Sequence, residues 1–585
     1  MHKVAAGRQS FVFLREGSYF YVDKTALLAD WYESGDQVTL ITRPRRFGKT
    51  LTLDMVRCFF SHTFSNREDL FAGLAISDHP RMMKLQGTLP VVFLSFANEH
   101  PTSLCDLIWM LVMKMAMLFE EFRYLTNGSL LSPQEKEQFE AMCSIPSILP
   151  VPRLPDGTEN SAYTLLMMRL QNALMLLSTW LYRYHHKKVM ILIDEYDTPL
   201  QSAYIHHFWN DALSVLRGLY VHTFETNPAL DRALLTGITC IARASLFPYL
   251  NAIHISSVLS QSYSTALGFT QEEVSHILRE YDLEDRKEDI LHWYDGFSFG
   301  LSSHILSPWS VCMFLREAGH PVRPFWTQSG GMQLIDHLMR TGHPALVRDL
   351  RNLLLGLPVF CALSEEIVFP SLEENPDAIW SLLLASGYVR LASREALCLN
   401  SEMSAITLTN EEIRASFVQL AQQWLIADGH NYALDFADAV SAHDIKIMQK
   451  VMQHIVSTCA SRFDLGTKPA KASHRMQPEK YFQGLVTGLT AGLMGRFIIH
   501  SNDESGEGCY DLSLVSRSQP SCVAIFEFKV FDRQKDKSIT DTAMRALHQI
   551  RDKHYQDRFL QEGHTPDQIY CYGIGFQGKH VHITI

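Results

Sequence analysis

Gln37-Val-Thr-Leu-Ile-Thr-Arg-Pro-Arg-Arg-Phe-Gly-Lys-Thr50 decides how the N-terminal half of this chain is read. Its first six residues are an apolar, β-branched run, the pattern of a strand. The loop Arg43, Pro44, Arg45, Arg46, Phe47 leads into Gly48-Lys49-Thr50, and from Thr50 to Phe64 apolar residues recur at helical spacing. Strand, loop, Gly-Lys-Thr and helix in this order suit a phosphate group. Backbone N–H groups and the helix N-terminus face the β-phosphate, the lysine reaches β and γ, and the hydroxyl binds Mg²⁺. Arg43 stands where a glycine usually lies, five residues before Gly48, and Pro44 removes one N–H donor. Taken alone, a basic turn capping a helix accounts for the stretch too.

A second element narrows the choice. Lys188–Ile193 is an apolar strand ending in Asp194-Glu195-Tyr196-Asp197. Carboxylates at the end of a buried strand are what a P-loop site needs: Asp194 for the Mg²⁺ shell, Glu195 as base for the attacking water. An ordinary acidic loop is the alternative. The two elements together favour a nucleotide site with ATP and Mg²⁺ as ligands, its expected binding residues being Arg43, Pro44, Arg45, Arg46, Phe47, Gly48, Lys49, Thr50 and Asp194. Thr236 is read either as a γ-phosphate contact or as a strand cap, and Arg243 either as a charge-stabilising finger or as a surface arginine. Arg45 and Arg46 either neutralise phosphate or are solvated. Pro90–Phe96 and Ala233–Thr239 are further strand candidates and Tyr163–Tyr184 a helix candidate. Strands separated by helices imply an α/β fold with a mainly parallel sheet covered on both faces.

A length of 585 residues predicts three or four domains, and 46% hydrophobic with 20% charged residues excludes wholesale disorder. A net charge of −11 excludes a generic nucleic-acid coat. None of the 11 cysteines forms Cys-x-x-Cys, which argues against a zinc ribbon and suits a reducing cytosol. The first 23 residues lack a signal-peptide core, and the most apolar stretch, Leu107–Phe119, is short and contains Lys114. A cytoplasmic protein without membrane contact is expected. Asn127–Ser161 is proline-rich, with one short helix expected after the capping box Ser132-Pro-Gln-Glu135. Residues 266–461 read as a mostly helical middle region, with capping boxes at Thr270–Glu273 and Thr409–Glu412. Residues 462–478 read as a linker, which leaves 1–265 as the first domain and 479–585 as the last. Met110, Met113, Met115 and Met117 read as core, His185, His186, His206 and His207 as solvated surface, and Trp293, Trp309 and Trp326 as packing residues without chemistry.

The last domain carries a second constellation. Asp511 opens an apolar stretch, and Cys522-Val-Ala-Ile-Phe-Glu-Phe-Lys-Val530 follows after a turn. The two-residue period of a strand puts Glu527 and Lys529 on one face and Phe526 and Phe528 on the other. Asp511, Glu527 and Lys529 match the pattern of PD-(D/E)XK nucleases, in which two carboxylates hold a divalent metal and the lysine orients the attacking water. A cross-strand salt bridge is the alternative. Residues 531–559 hold seven basic residues interleaved with five aspartates, which suits either a phosphate backbone or a solvated face.

These motifs, with Phe20-Tyr-Val-Asp-Lys-Thr25, Ile193-Asp-Glu-Tyr-Asp-Thr-Pro-Leu200, Gly268-Phe-Thr-Gln-Glu-Glu-Val274 and Trp293-Tyr-Asp-Gly-Phe297, resemble the prokaryotic AAA-ATPase-like family. That family's loop is usually arginine-rich and lacks the first glycine. The resemblance implies that Asp23, Lys24 and Thr25 line the nucleotide pocket, and that the C-terminal domain is the PD-(D/E)XK nuclease habitually fused to the family. It also implies a catalytic role for Glu479 beside Asp511, Glu527 and Lys529, with Gln549 a weaker candidate. The chain departs from the family at Cys509, where arginine is frequent, and near Gln483, where histidine is. The expected function is ATP binding and hydrolysis with metal-dependent cleavage of nucleic acid, DNA being the expected substrate. The alternative is a nucleotide-dependent regulatory or scaffold protein whose nuclease fold binds without cutting; a motor would need a homo-oligomeric ring.

Overall fold

The computed structural model describes residues 2–241, 246–247, 253–317, 322–326, 344–392 (except 355, 368, 373 and 374), 403–459 (except 425, 428 and 429), 496–517 (except 501, 502, 506 and 507) and 522–585 (except 579). Two compact units emerge: Met1–Leu338 with Phe360–Ile413, and Met339–Val359 with Arg414–Ile585.

In the first unit, β1 (Val38–Thr42), β2 (Val91–Ser95), β3 (Val189–Asp194), β4 (Leu230–Gly237) and β5 (Ile253–Ser256) form one sheet in the order β2-β3-β4-β1-β5, every pairing parallel. Strands β1 and β3 are buried along their whole length, as a sheet covered on both faces requires. The register aligns Thr42 with Gly237 and Ser95 with Asp194, so these residues meet at one carboxyl edge. Helix α1 (Lys49–Phe60) packs Leu53, Val56 and Phe60 with Met190, Leu192 and Leu234 in one core. The four expected strands and the two expected helices form within a few residues of their expected ends, the second as α2 (Ser161–His185). Strand β5 escapes the sequence reading because Ile253-His-Ile-Ser256 offers only two apolar residues at a sheet edge.

Ser132 caps Pro133–Cys143 through a full capping box, and Thr270 does the same for Gln271–Glu280. The box expected at Thr409 does not form. Asn410 accepts from Ile413 N and caps α3 (Glu411–Trp424), while Thr409 Oγ1 donates to Gly387 O. The middle region is rich in helices but also holds a three-stranded sheet of Phe269–Thr270, Ser302–Leu306 and Asp295–Phe299. Its strands are short and polar enough to hide from composition. Among the four methionines expected in the core, Met110 and Met115 are buried, while Met113 and Met117 face solvent.

The second unit is built on β6 (Phe497–His500), β7 (Leu512–Ser516), β8 (Val523–Val530), β9 (Ile569–Gln577) and β10 (His580–Thr584), hydrogen-bonded in chain order. Only β8 and β9 run parallel, with α6 (Ile539–Asp552) in the crossover between them. Helices α4 (Tyr432–Ser441) and α5 (Ile445–Cys459) bury Phe436, Val440, Met448 and Met452 against Phe526, Phe528, Tyr572 and Ile574. The sequence reading puts these two helices in the middle region; their apolar faces cover the C-terminal sheet. The linker 462–478 and the expected helix from Glu479 lie outside the described residues.

On the other face, Gly573 and Gly575 pair with Glu527 and Lys529, and α6 lies directly on their backbone. A Cβ at Gly573 would sit 2.2 Å from Ala543 O and 2.6 Å from Leu547 N. Neither neighbour is a flexible side chain, so helix and sheet must separate. Gly573→Ala is expected to cost roughly 2–3 kcal/mol, read as a lower urea midpoint for the C-terminal unit; an unchanged midpoint would show that α6 does not hold this position.

Candidate nucleotide pocket and carboxylate–lysine site

At the carboxyl edge of the parallel sheet, Gly48 (φ +84°) and Arg46 (φ +64°) turn the loop with left-handed backbone. No atom of the described residues lies within 4 Å of a Cβ built on Gly48, so the loop presents bare backbone there. Lys49 is the first residue of α1; its buried Nζ donates to Arg43 O (3.0 Å) and Pro44 O (2.9 Å). Burial holds its pKa below the usual lysine range, opposed by the Glu195 and Asp194 carboxylates. Thr50 Oγ1 donates to Asp194 Oδ2 at 2.8 Å, Ser95 Oγ donates to the same oxygen at 3.2 Å, and Thr236 Oγ1 donates to Oδ1 at 2.8 Å. Burial raises the pKa of Asp194, and the Thr50 and Thr236 hydroxyls oppose the shift. Glu195 takes a left-handed conformation (φ +51°) beside Asp194.

A cavity of about 270 Å³ opens over this edge. Arg45, Arg46, Phe47, Gly48, Lys49 and Thr50 line it, as do Lys24, Glu195, Asn98 and His100. Its far wall is made by the N-terminal segment Val4–Gln9, by Phe20–Val22 and by Trp309, over which the Arg46 guanidinium lies at 4.5 Å. Bare loop backbone, a buried lysine and a hydroxyl–carboxylate pair together fit a nucleoside triphosphate with Mg²⁺: Lys49 and the loop N–H groups for phosphate, Thr50 and Asp194 for the ion.

Three expectations need correction. The Arg43 side chain does not reach the cavity. Its buried guanidinium donates to Thr42 O, Ser256 O, Ser257 O and Tyr263 O and lies 4.7 Å over the Phe299 ring. Burial pushes its pKa down to about 9. The arginine therefore bolts the loop to the end of β5, and only its carbonyl touches Lys49. Pro44 is also absent from the cavity wall, offering its carbonyl to Lys49 while its ring lies against Gly387. Of Asp23, Lys24 and Thr25, only Lys24 lines the cavity, with Nζ 2.6 Å from Glu273 Oε1. Asp23 accepts from Thr25 and from Ala75 N, and Thr25 Oγ1 accepts from Ile76 N, so this pair staples the fold. Arg243 lies outside the described residues. Ser95, Asn98, His100 and Trp309 were missed; a hydroxyl ending an apolar strand was the one signal available, at Ser95.

Replacing Arg43 with methionine strands several buried carbonyls. The expected loss is more than about 3 kcal/mol, read as a lower melting point of the first unit. A melting point within 1–2 °C of the parent would show that the bolt carries no load.

In the second unit, Asp511 precedes β7, and its Oδ2 accepts from Phe528 N at 2.7 Å, which ties it to β8. Glu527 is buried on the β8 face opposite Phe526 and Phe528, as the two-residue period requires. Its Oε1 accepts from Lys529 Nζ (3.0 Å) and Gln549 Nε2 (2.5 Å), and Gln549 Nε2 also donates to Tyr555 Oη (3.1 Å). Glu527 Oε2 is buried with no hydrogen-bond partner among the described residues. Burial pushes the Glu527 pKa up to about 8, the Asp511 carboxylate adds to the rise, and Lys529 opposes it. Gly573 and Gly575 make this possible, since α6 carries Gln549 and must approach closely. Tyr555, past the end of α6, was not foreseen. Glu479 and Gln483 lie outside the described residues.

Among the described residues no group of three or more His, Cys, Asp or Glu converges. Asp511 and Glu527 nevertheless fit a hard divalent cation: an orphaned, desolvated carboxylate oxygen beside a second carboxylate is a donor set such an ion satisfies. Of the seven basic residues in 531–559, Arg545 is held by Asp536 (2.8 Å) and Arg558 by Glu562 (2.9 Å). No described helix is long and apolar enough to cross a membrane.

Comparison with known proteins follows the same division. Residues 5–247 match the AAA-ATPase-like family, described as a predicted AAA-ATPase, and residues 477–584 match the PD-(D/E)XK nuclease superfamily. An uncharacterized protein in the vnfD 5′ region of Azotobacter chroococcum is 22% identical over 582 residues, 98% of this chain and 96% of that protein. A crystal structure of a signal transduction ATPase with numerous domains, carrying a tetratricopeptide repeat sensor, from Pyrococcus horikoshii aligns with a TM-score of 0.21 at 11% identity. The alignment covers 74% of this chain and about half (50%) of that one. The chain is a fusion of an AAA-ATPase-like domain with a C-terminal domain of the PD-(D/E)XK nuclease superfamily.

Proposed function

We propose that the chain binds and hydrolyses ATP at the first site and cleaves phosphodiester bonds of nucleic acid, with DNA as substrate, at the second. The convergence of Asp511 and Lys529 on the buried Glu527, whose Oε2 has no hydrogen-bond partner among the described residues, is the observation that carries this reading.

At the first site, Lys49 and the loop N–H groups would bind the β- and γ-phosphates, Thr50 and Asp194 would hold Mg²⁺, and Glu195 would accept the proton of the attacking water. Ser95 and Thr236 fix the Asp194 carboxylate from two sides, so it needs no reorganisation when the ion binds. At the second site, Asp511 and Glu527 would hold Mg²⁺, which neutralises charge on the scissile phosphate and lowers the pKa of water when bound. Lys529 Nζ, in place on Glu527, donates a hydrogen bond to that water or to a phosphate oxygen. Gln549 fixes the Glu527 rotamer and is itself fixed by Tyr555. A cytoplasmic setting suits the free thiols among the described residues.

The test incubates the purified chain with plasmid, single-stranded DNA and RNA, with Mg²⁺, with Mn²⁺ and with EDTA, alongside calorimetric titration with ATP. Metal-dependent cleavage with ATP binding supports the reading. Nucleic-acid binding without cleavage under every metal favours the scaffold alternative.

A further inference from the structure

Glu412 has no role in either site, yet it is fully buried in the first unit. Its Oε1 accepts from Phe325 N (2.5 Å) and Trp326 N (2.6 Å), and its Oε2 accepts from Ser310 Oγ (2.8 Å). The Trp326 indole N–H, so positioned, donates to Arg45 O in the phosphate loop at 2.7 Å. Trp309, which lines the cavity under Arg46, donates its own indole N–H to Phe325 O at 3.1 Å. The loop is therefore gripped from outside by a segment whose backbone hangs on one carboxylate.

The residues around Glu412 tighten this connection. Thr409 Oγ1 donates to Gly387 O, and a Cβ on Gly387 would come within 2.7 Å of the Pro44 ring. The Thr409 carbonyl lies so close to Gly296 that a Cβ there would be 2.1 Å away. Phe297, next in that strand, stacks edge-on against Phe47 at 4.7 Å and against Trp326 at 5.8 Å. Loop residues 44–47 and residues 409–412 thus share a packed, hydrogen-bonded neighbourhood. A carboxylate buried there is costly unless it is hydrogen-bonded, and Glu412 meets that cost with the Phe325, Trp326 and Ser310 donors, so losing any of them is felt at the start of the helix. Helix α3 begins at Glu411, and from Arg414 onward its residues belong to the second unit, which carries the nuclease sheet.

We propose that Glu412 and Trp326 form a nucleotide-sensing clasp, which converts the phosphate loop's conformation into a change at the start of α3 and so passes nucleotide state along the chain toward the nuclease unit. The proposal rests on the nucleotide-binding reading of the cavity. Glu412 and Trp326 are positioning residues: neither touches substrate. When phosphate draws the loop N–H groups and Lys49 toward itself, the Arg45 carbonyl shifts with the loop, the indole follows, and the Glu412 bonds to Phe325 and Trp326 rearrange.

Hydrogen exchange of the full chain, with and without ATP and Mg²⁺, reads residues 411–424 directly and does not depend on nuclease activity. ATP binding is measured separately by calorimetry. In the wild type, exchange in 411–424 is expected to change at least about threefold on ATP addition. Trp326→Phe keeps an aromatic ring beside Phe297 and removes the N–H donor; it should still bind ATP but lose most of that response. Glu412→Ala should lose it as well, whereas Glu412→Gln, which can accept both backbone N–H groups and donate to Ser310, should keep it. Wild-type ATP binding with no change in 411–424, or a full response in Trp326→Phe, overturns the clasp alone. Absence of ATP binding by the wild type removes the clasp together with the reading beneath it.

Discussion

Glu527→Gln is expected to lower metal-dependent cleavage by roughly a thousandfold or more and, at the same time, to stabilise the metal-free protein. The two effects share one cause. Glu527 is a buried carboxyl with one oxygen unpartnered among the described residues and with Asp511 nearby, which together push its folded pKa up to about 8. The unfolded value is near 4.3. Between these values the folded state holds the proton that the unfolded state has lost. Stability therefore falls as pH rises from about 4 to about 8, and above that the full cost of ionising Glu527 is in place. Glutamine, a neutral isostere of the protonated acid, avoids this cost. At pH 8 in EDTA the variant should be more stable by a few kcal/mol, with the gain shrinking toward pH 5. Adding Mg²⁺ should raise the wild-type melting point and leave the variant unmoved, because the ion compensates the charge that glutamine lacks. Lys529→Met should abolish cleavage with a smaller loss of metal binding. If Glu527→Gln is no more stable than wild type in EDTA at pH 8, the carboxylate is not the desolvated, metal-seeking group described above.

Much of this architecture could be read from residues because the chemistry sits at strand ends. Apolar runs ending in Thr42 and Asp194 identify two strands, and a buried parallel sheet brings such ends to one edge. The alternation Phe526-Glu527-Phe528-Lys529 likewise fixes which face of β8 carries the polar groups, without knowledge of its neighbours. What stayed hidden depends on long-range contact. Arg43 counts among the nucleotide-binding residues in the sequence because it stands in a phosphate loop; its destination is a set of carbonyls more than 200 residues away, around Ser256 and Tyr263. Trp309 and Val4–Gln9 reach the cavity wall by tertiary packing, for which spacing carries no signal. The capping box written at Thr409–Glu412 failed for a related reason. Local bonds across three residues are weak, and burial of Glu412 against Phe325 and Trp326 outweighs them.

The first site separates into binding and chemistry by two substitutions. Lys49→Ala removes a buried ammonium held by two loop carbonyls and directed at the cavity. Charge-assisted hydrogen bonds to phosphate are lost, and Arg43 O and Pro44 O are left without their donor. ATP affinity should fall at least about a hundredfold, equivalent to roughly 3 kcal/mol. Glu195→Gln should behave differently. Glu195 lines the cavity beside Lys49 and Thr50, while Asp194, not Glu195, takes the Thr50 and Thr236 hydroxyls. ATP affinity should therefore stay within a few fold, while turnover falls about 10²–10⁴-fold through loss of the general base. Calorimetry and phosphate release under single-turnover conditions distinguish the two. If Glu195→Gln hydrolyses ATP at the parental rate, the base lies elsewhere, and His100, on the same cavity wall, is the next residue to replace. If Lys49→Ala binds ATP as tightly as the parent, the loop Arg43–Thr50 is not a phosphate site, and the open backbone at Gly48 needs another explanation.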